Sequence, residues 1–321
     1  MEHLKTNQFP QKPIRTTLIA AAALTLAACG GDGNGGGGGG TSNRGTEVTL
    51  EEFRELAIQA GLWRFDAEIE FEGEFEVENQ TFDFMTDLDT VSVSTVVLND
   101  DDSITYDSCD LEGEQTTTRE EVIDDEPIQD DTYEDFCELE MTYYQVSDTK
   151  FNMIQTCDGD EFSVATIELL SSQPEFDNGS FSFDLEGFDS LNASDGVCGS
   201  KYNVNSSVEG ALEGDIFVED DESSEFKIVA PYTGDSRVVM RVDSYGEELG
   251  VGTYNIGIVD SVVMLTVESE VFGAPGAPQT LTAISGEVTF TEYSQYRAAG
   301  SFDVNVADGS RFNGSFELDL D

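Results

Sequence analysis

The sequence predicts an all-β protein built from antiparallel meander, sandwich or barrel domains, with one short helix near the N-terminus. In residues 63–72 apolar side chains alternate with charged ones, which is the pattern of a strand with one buried face and one solvent-exposed face. Such alternation is typical of antiparallel sheets. Near the C-terminus, residues 302–306 alternate, Asp308 and Gly309 offer a tight turn, and residues 312–320 alternate again. This segment predicts a terminal β-hairpin.

The short helix is predicted from a start signal and a change of period. Thr49 and Glu52 form a capping box, the arrangement in which each residue caps the other at a helix start. Apolar residues then recur at helical spacing over residues 50–60. From Trp63 onward the period becomes two, so the helix gives way to strands.

The N-terminus carries a targeting signal. Three basic residues lie among residues 1–15, and an apolar run over residues 18–28 is too short to span a bilayer as a permanent helix. The run ends Leu-Ala-Ala-Cys29 and closely resembles the lipobox of bacterial lipoprotein signal peptides. The resemblance implies that residues 1–28 are a signal peptide and that Cys29 is acylated, for example with palmitate. A plain secretory signal with an incidental cysteine is the alternative.

The residues after the cysteine predict where the protein resides. Gly30 stands where the resembling family carries Asp in proteins that stay in the inner membrane, so the outer membrane of the cell envelope is favoured. Residues 29–46 contain a run of six glycines, which behaves as a flexible tether. The membrane is thus the predicted partner, reached through the lipid on Cys29.

The charge excludes several classes of partner. The whole chain has 14 basic and 67 acidic residues. Removal of residues 1–28 leaves 11 basic and 66 acidic residues, a net charge of −55. Nucleic acid and anionic lipid surfaces need positive charge on their partners, so neither is expected to bind. High like charge also keeps a protein soluble, and solvation in a salty habitat is the simplest reason for this acidity.

Four cysteines follow Cys29. They are Cys109, Cys137, Cys157 and Cys198. An exported protein meets an oxidising compartment, so two disulfides are expected. Closing the shortest loops favours the pairs Cys109–Cys137 and Cys157–Cys198. A four-thiolate metal site is the alternative, although the chain lacks a Cys-x-x-Cys pair.

The distribution of cysteines suggests two folded domains. Residues 47–200 form a disulfide-containing β domain, and residues 201–321 form a β domain without cysteine. The acidic block 117–136 contains a proline and predicts a long loop inside the first domain.

The residue types argue against most enzymes. The only histidine, His3, lies in the signal peptide, so the mature chain has no histidine for a nucleophilic relay or a zinc site. No cofactor is expected, and calcium is the one metal considered. Its candidate donors sit in short acidic turns, because calcium prefers several oxygen ligands. They are Asp100, Asp101, Asp102, Asp158 and Asp160.

A second resemblance concerns Gly61-Leu62-Trp63, which follows the helix and opens the first long strand. It is similar to the Gly-x-Trp entry of lipocalin-like barrels, where the Trp closes the base. The family's second motif and its late Arg have no convincing counterpart here; Lys201 is the nearest cation. The resemblance implies an apolar ligand pocket at Trp63. The overall layout also resembles acidic lipoproteins of marine bacteria, from which no activity carries over.

These observations predict a lipid-anchored envelope protein that acts as a non-enzymatic binding or structural module. The first alternative is a lipocalin-like carrier with a cavity above Trp63. The second is a carboxylate-dependent hydrolase, in which two or three acids converge in a cleft with raised pKa values.

Overall fold

The all-β prediction is confirmed. A computed structural model describes residues 44–77, 80–124, 139–212, 215–257, 263–272, 279–307 and 309–321. The described strands form one extended sheet, which is antiparallel apart from a single parallel bridge between Ile256 and Val263. The strands are β1 Thr46–Val48, β2 Gly61–Val77, β3 Gln80–Leu98, β4 Ser103–Asp107, β5 Glu114–Thr118, β6 Leu139–Ser147, β7 Lys150–Cys157, β8 Asp160–Ser171, β9 Gly179–Leu185, β10 Leu191–Ala193, β11 Cys198–Leu212, β12 Asp215–Pro231, β13 Arg237–Tyr245, β14 Gly252–Gly257, β15 Val263–Ser269, β16 Gln279–Tyr293, β17 Arg297–Val306 and β18 Arg311–Asp319.

The helices are few and short. They are α1 Leu50–Ala57, α2 Arg119–Asp124 and a 3-10 turn at Glu270–Phe272. The capping box of α1 is present, with Glu52 N donating to Thr49 Oγ1 at 3.2 Å and Thr49 N donating to Glu52 Oε2 at 2.9 Å. The helix ends at Ala57 rather than at residue 60. Helix α2 lies inside the block 117–136 predicted as a loop, and residues 125–138 of that block lie outside the described residues.

Strand β3 joins the two halves of the chain. One of its edges pairs with β2 along its length. Its other edge pairs with β11 up to Ser92 opposite Ser200, and then with β4 from Thr95. The domain boundary predicted near residue 200 therefore falls within β11, a strand hydrogen-bonded to β3 on one side and to β12 on the other. The strand ladder continues across that boundary.

Two apolar clusters lie on the sheet. The smaller packs α1 against β2, β6, β7 and β8, with Phe53 stacked on Tyr143 at 4.9 Å between ring centroids. The larger is rich in phenylalanine from the second half of the chain, including Phe226, Phe290 and Phe316. Alternating residues of the predicted terminal hairpin belong to it, among them Phe302 and Val304 of β17 and Phe312 of β18. That hairpin prediction is confirmed.

Glycines opposite phenylalanines explain the Gly-Ser-Phe motif at residues 300 and 314, whereas Gly179 of the third copy lies opposite Leu318. Gly300 pairs with Phe316, and Gly314 pairs with Phe302. A Cβ on Gly300 would lie 2.7 Å from Phe316 Cζ, and one on Gly314 would lie 2.7 Å from Phe302 Cζ. The motifs at residues 300 and 314 therefore each supply a bulky ring and the gap that receives the ring of the neighbouring strand.

Replacement of Gly314 by Ala tests this packing. The added methyl group would meet the backbone oxygen of Ser182 as well as the ring of Phe302, and overpacking of this kind costs about 2 kcal/mol of unfolding free energy. Gly252→Ala is the matched control, because a Cβ there meets its nearest atom, Tyr254 Cε2, at 3.9 Å. Urea denaturation should show a clear loss for Gly314→Ala and a change below about 0.5 kcal/mol for the control. Equal effects would contradict the packing argument.

The disulfide pairing predicted from loop length is wrong. Cys109 is bonded to Cys198, with their Cα atoms 5.9 Å apart. The reason is topological: the pairing of β3 with both β4 and β11 brings the segment after β4 beside the start of β11. Cys157 is also disulfide-bonded, so the thiolate metal site is excluded for these three cysteines. Cys137 lies outside the described residues.

Loss of this bridge should destabilise the protein strongly. The bond links positions 89 residues apart, and closing a loop of that size restricts the unfolded chain by about 3 to 5 kcal/mol. The paired change Cys109→Ala with Cys198→Ala should lower the guanidinium midpoint accordingly. Mass spectrometry of an unreduced digest provides the independent check. A peptide in which Cys109 is linked to Cys137 would disprove the pairing.

A buried polar cluster lies beside the disulfide. Arg237 of β13 holds Asp107 at the end of β4 through both guanidinium nitrogens, and Arg237 Nη1 also donates to the backbone oxygen of Asp110 at 3.2 Å. Lys227 of β12 is buried next to this cluster, and burial lowers its pKa although Glu225 and Asp110 favour its charge. These contacts attach the segment after β4 to the outer surface of β12 and β13.

Two carboxylates face each other near this cluster. Asp243 of β13 lies directly opposite Glu225 of β12, with Arg241 two residues away along β13 and Met264 opposite on β15. Burial and, to a smaller extent, the charge of Glu225 together raise the pKa of Asp243 to about 7, although Arg241 opposes the shift. The folded protein therefore holds a proton that an unfolded chain releases at about pH 4. This carboxyl contributes stability below about pH 4 that is lost as the pH rises through about 7.

Asp243→Asn should remove this pH dependence. The amide resembles the protonated carboxyl, so the variant should be more stable than the parent at pH 8 by on the order of 3 kcal/mol, because each pKa unit corresponds to about 1.4 kcal/mol. At pH 4 the two proteins should melt together. Thermal unfolding from pH 4 to pH 8 measures the difference, with Asp235→Asn in an exposed turn as control. A difference that does not grow with pH would refute this assignment.

Candidate binding surface

One face of strands β2, β3, β11 and β12 carries a concentration of carboxylates. Alternate residues of β2 point to this face, and the register places Glu68 opposite Asp89 and Glu70 opposite Asp87. The next strand continues both rows with amides, Asn203 beside Asp89 and Asn205 beside Asp87. We call this surface the acidic face. It consists of Asp66, Glu68, Glu70 and Glu72 of β2, Asp87 and Asp89 of β3, Glu222 of β12, and Glu248 from the segment after β13.

The carboxylates of the acidic face repel one another. Partial burial raises the pKa of Glu68, and Asp89, Glu70, Asp87 and Asp66 raise it further. Burial also raises the pKa of Asp89, with added repulsion from Asp87, Asp66, Glu248 and Glu70. Like charges directly opposite each other on neighbouring strands destabilise a sheet. The surface therefore favours uptake of protons or of other positive charge.

The chain places its few cations elsewhere. Six form ion pairs in the described structure: Arg44, Arg64, Lys150, Arg237, Arg297 and Arg311. Another three, Arg54, Lys201 and Lys227, are at most 5% exposed. Within the described ranges, none of these ion pairs involves a carboxylate of the acidic face. In the described structure, the opposed pairs Glu68–Asp89 and Glu70–Asp87 therefore have no ion-pair partner.

A cavity of about 120 Å³ opens at the centre of the acidic face. Asp87, Asp89, Glu222 and Glu248 line it together with Asn203 and Asn205. Asn203 Nδ2 donates to Glu248 Oε1 at 3.5 Å, whereas Asn203 Oδ1 is buried and has no hydrogen-bond partner among the described residues. A buried acceptor of this kind costs free energy unless a donor reaches it. The cavity therefore offers four carboxylates to a ligand rich in N–H donors.

A buried lysine closes the inner end of the acidic face. Lys201 of β11 is 5% exposed, donates to the backbone oxygens of Ser294 and Gln295, and lies 3.9 Å from the centre of the Tyr293 ring. Burial lowers the pKa of Lys201 to about 8, opposed by Glu248. Burial also raises the pKa of Tyr293. This cation is fixed by carbonyls and an aromatic ring, so it marks where the acidic face meets the apolar core.

The predicted calcium donors lie in two separate hairpin turns. Asp100, Asp101 and Asp102 connect β3 to β4, and Asp101 Oδ1 accepts hydrogen bonds from Ser103 N and Oγ, which lower its pKa. Asp158 connects β7 to β8, with Asp160 as the first residue of β8. The described part of the chain shows no group of three or more His, Cys, Asp or Glu residues arranged to hold a metal. Calcium binding stays a prediction.

Trp63 lies in the smaller apolar cluster. Its side chain is 4% exposed, its Nε1 donates to Gln59 O at 2.9 Å, and its ring lies 6.3 Å from that of Phe151. The structure thus gives Trp63 a packing role and a satisfied indole. An apolar ligand pocket at Trp63 stays a prediction.

The sequence pattern alone does not reveal the acidic face. The consecutive acidic runs at residues 100–102 and 158–161 stand out when the sequence is read, but the structure brings the two carboxylate rows together from separate strands. The available signal was the alternation of β2, in which every second residue from Asp66 to Glu72 is acidic. Finding the opposing acids of β3 required the strand register.

The predicted lipidation site lies outside this part of the structure. Cys29 is not among the described residues. None of the helices that the described ranges contain has the length and apolar character needed to cross a membrane.

Comparisons with known proteins give little guidance. No protein-family model matches the chain, and no curated protein matches it. Among solved structures, the translocator domain of autotransporter NalP from Neisseria meningitidis is similar at 9% identity and a TM-score of 0.14, over 83% of this chain and 92% of that one. Isotype 1 transferrin binding protein B from serogroup B Neisseria meningitidis is similar at 7% identity and a TM-score of 0.15, over 82% and 77%. Likenesses this low carry no argument about function.

Proposed function

We propose that this protein is a lipid-anchored component of the cell envelope, attached to the outer membrane through Cys29, and that its folded part is a non-enzymatic module that binds cationic ligands on the acidic face. The observation that carries the proposal is the pair of like-charge rows, Glu68 opposite Asp89 and Glu70 opposite Asp87, which lack an internal counter-ion in the described structure. A bound cation would relieve this repulsion, so the protein gains stability from the ligand.

The anchor is supported by the lipobox-like run that ends at Cys29 and by the tether behind it. Residues 30–43 separate Cys29 from the first described residue, Arg44. The negative charge of the folded part would keep it off an anionic lipid surface.

Binding fits the chemistry of the face better than catalysis does. The mature sequence contains no histidine to transfer protons. The carboxylates of Glu68, Glu70, Asp87 and Asp89 are exposed and spread along two strands. Such an arrangement attracts and holds positive charge over an area.

The binding test uses the mature protein with Cys29→Ser, which removes the lipid, and hexalysine as the probe. Titration calorimetry should give a dissociation constant in the micromolar range that weakens as salt is raised, because surface ion pairs are screened. Asp87→Asn with Asp89→Asn should weaken binding about tenfold, the effect expected when two clustered charges are lost.

The matched control is Glu287→Gln with Glu317→Gln. These exposed acids lie on β16 and β18, and their removal changes the net charge by the same amount. The control should bind hexalysine within about twofold of the parent protein. If both variants lose affinity equally, overall charge and not the acidic face is responsible, and the binding part of the proposal fails.

The anchor is tested separately. Cells expressing the full chain and its Cys29→Ser variant would be labelled with a fatty acid and fractionated. Label and outer-membrane association are expected for the parent chain alone. Label on the variant, or a soluble parent protein, would overturn the anchoring.

A further inference from the structure

The acidic face has a regular spacing that identifies the shape of its ligand. Every second residue of β2 from Asp66 to Glu72 is acidic, and these side chains follow one another at intervals of about 6.8 Å. The ladder between β2 and β3 runs without a register shift, so these carboxylates keep the alternate spacing of a regular strand. The second line, Asp87 and Asp89 of β3, runs beside it.

We propose that this surface is a docking site for an extended polypeptide segment that carries Lys or Arg at every second residue. The inference rests on the proposed function and specifies its ligand. An extended segment places alternate side chains on one face with the same interval of about 6.8 Å, so each basic residue meets one carboxylate of β2. The neighbouring carboxylates of β3 face the same side chains from the adjacent strand.

A helical ligand fits this surface less well. Residues four apart on a helix advance about 6 Å, which is close to the spacing of β2, but each step also turns about 40° around the helix axis. By the fourth carboxylate the basic side chain would have turned about 120° away from the sheet. A line of four acids therefore selects an extended ligand.

A basic side chain, Arg64, lies at one end of the line of carboxylates. Arg64 stands at the next alternate position of β2 before Asp66, and it is paired with Glu168 at 3.0 Å and lies 4.3 Å from the centre of the Tyr296 ring. Tyr296 donates its hydroxyl to Asp66 Oδ2 at 2.7 Å. A basic segment would therefore stop at Asp66, because the fixed guanidinium of Arg64 repels it.

The cavity beside the second line provides a place for one side chain. It lies next to Asp87 and Asp89, and its buried Asn203 Oδ1 has no donor among the described residues. A lysine ammonium or an arginine guanidinium supplies three or five N–H donors, enough for several of the carboxylates that line the cavity.

The experiment compares three capped peptides of equal charge on the mature protein with Cys29→Ser. One alternates Lys and Thr, one has the same residues in two blocks, and one is alanine-based with Lys at every fourth position. By fluorescence anisotropy at physiological salt, the alternating peptide should bind about fivefold more tightly than the other two, the effect of roughly two additional surface ion pairs.

The preference should depend on the line of β2. Glu68→Gln with Glu72→Gln should reduce it to within about twofold, whereas Glu287→Gln with Glu317→Gln should preserve it. Thermal melts of each variant confirm that the fold is intact; loss of like charges is not expected to lower stability.

The other outcomes are distinguishable. Equal binding of all three peptides would overturn the extended-ligand inference and leave the cationic binding function in place. Binding of calcium or spermine without any peptide would show a small-cation site and would also overturn the inference. If neither peptides, hexalysine nor small cations bind, the proposed function fails together with it.

Discussion

The pairing of β3 with β11 is the constraint on which the rest of the structure depends. It runs from Ser200 opposite Ser92 to Gly210 opposite Phe82, and it connects strands that are far apart in sequence. Because β3 is already paired with β2, and β11 with β12, this ladder combines two long hairpins into one four-stranded surface. The acidic face, the cavity and the Cys109–Cys198 bridge all lie on or beside this surface.

The few basic residues that form ion pairs in the described structure pair with acids outside the acidic face. Buried Asp107 forms a salt bridge with Arg237, and Asp303 on β17 forms one with Arg311 on β18. Glu287 lies opposite Asp303, so this like-charge pair has a cation beside it. The pairs Glu68–Asp89 and Glu70–Asp87 have the same cross-strand geometry without such a cation in the described structure. The carboxylates of Glu287 and Asp303 are thus partly neutralised within the protein, whereas those of Glu68–Asp89 and Glu70–Asp87 are open to a cationic ligand.

Local patterns in the sequence predict local structure well here, and long-range contacts poorly. The alternation of residues 63–72, the capping box at Thr49 and the terminal hairpin each depend on neighbouring residues, and each is present in the structure. The predicted disulfide pairing was wrong because the argument from short loops ignores the β3–β11 ladder. This ladder brings Cys198 beside Cys109, although the two residues are far apart in sequence. Helix α2 was missed because its six residues, Arg119–Asp124, are too few to show a helical period. The sequence alternation predicts that the carboxylates of β2 lie on the solvent-exposed face of a strand. Their partners on β3 depend on the register between the two strands, which the sequence of one strand does not specify.

The acidity of the whole chain and the acidic face differ in how salt acts on them. At physiological ionic strength, interactions between exposed charges fade beyond about 8 Å. Under these conditions most of the 66 acids in residues 29–321 interact only weakly with one another. Directly opposed residues of neighbouring strands have Cβ atoms about 5 Å apart, so the repulsion within the rows of β2 and β3 persists where the general repulsion is screened. Salt that screens the repulsion between distant charges therefore leaves the repulsion between opposed carboxylates of this face in place. A ligand that carries cations at strand spacing would neutralise several of these carboxylates at once.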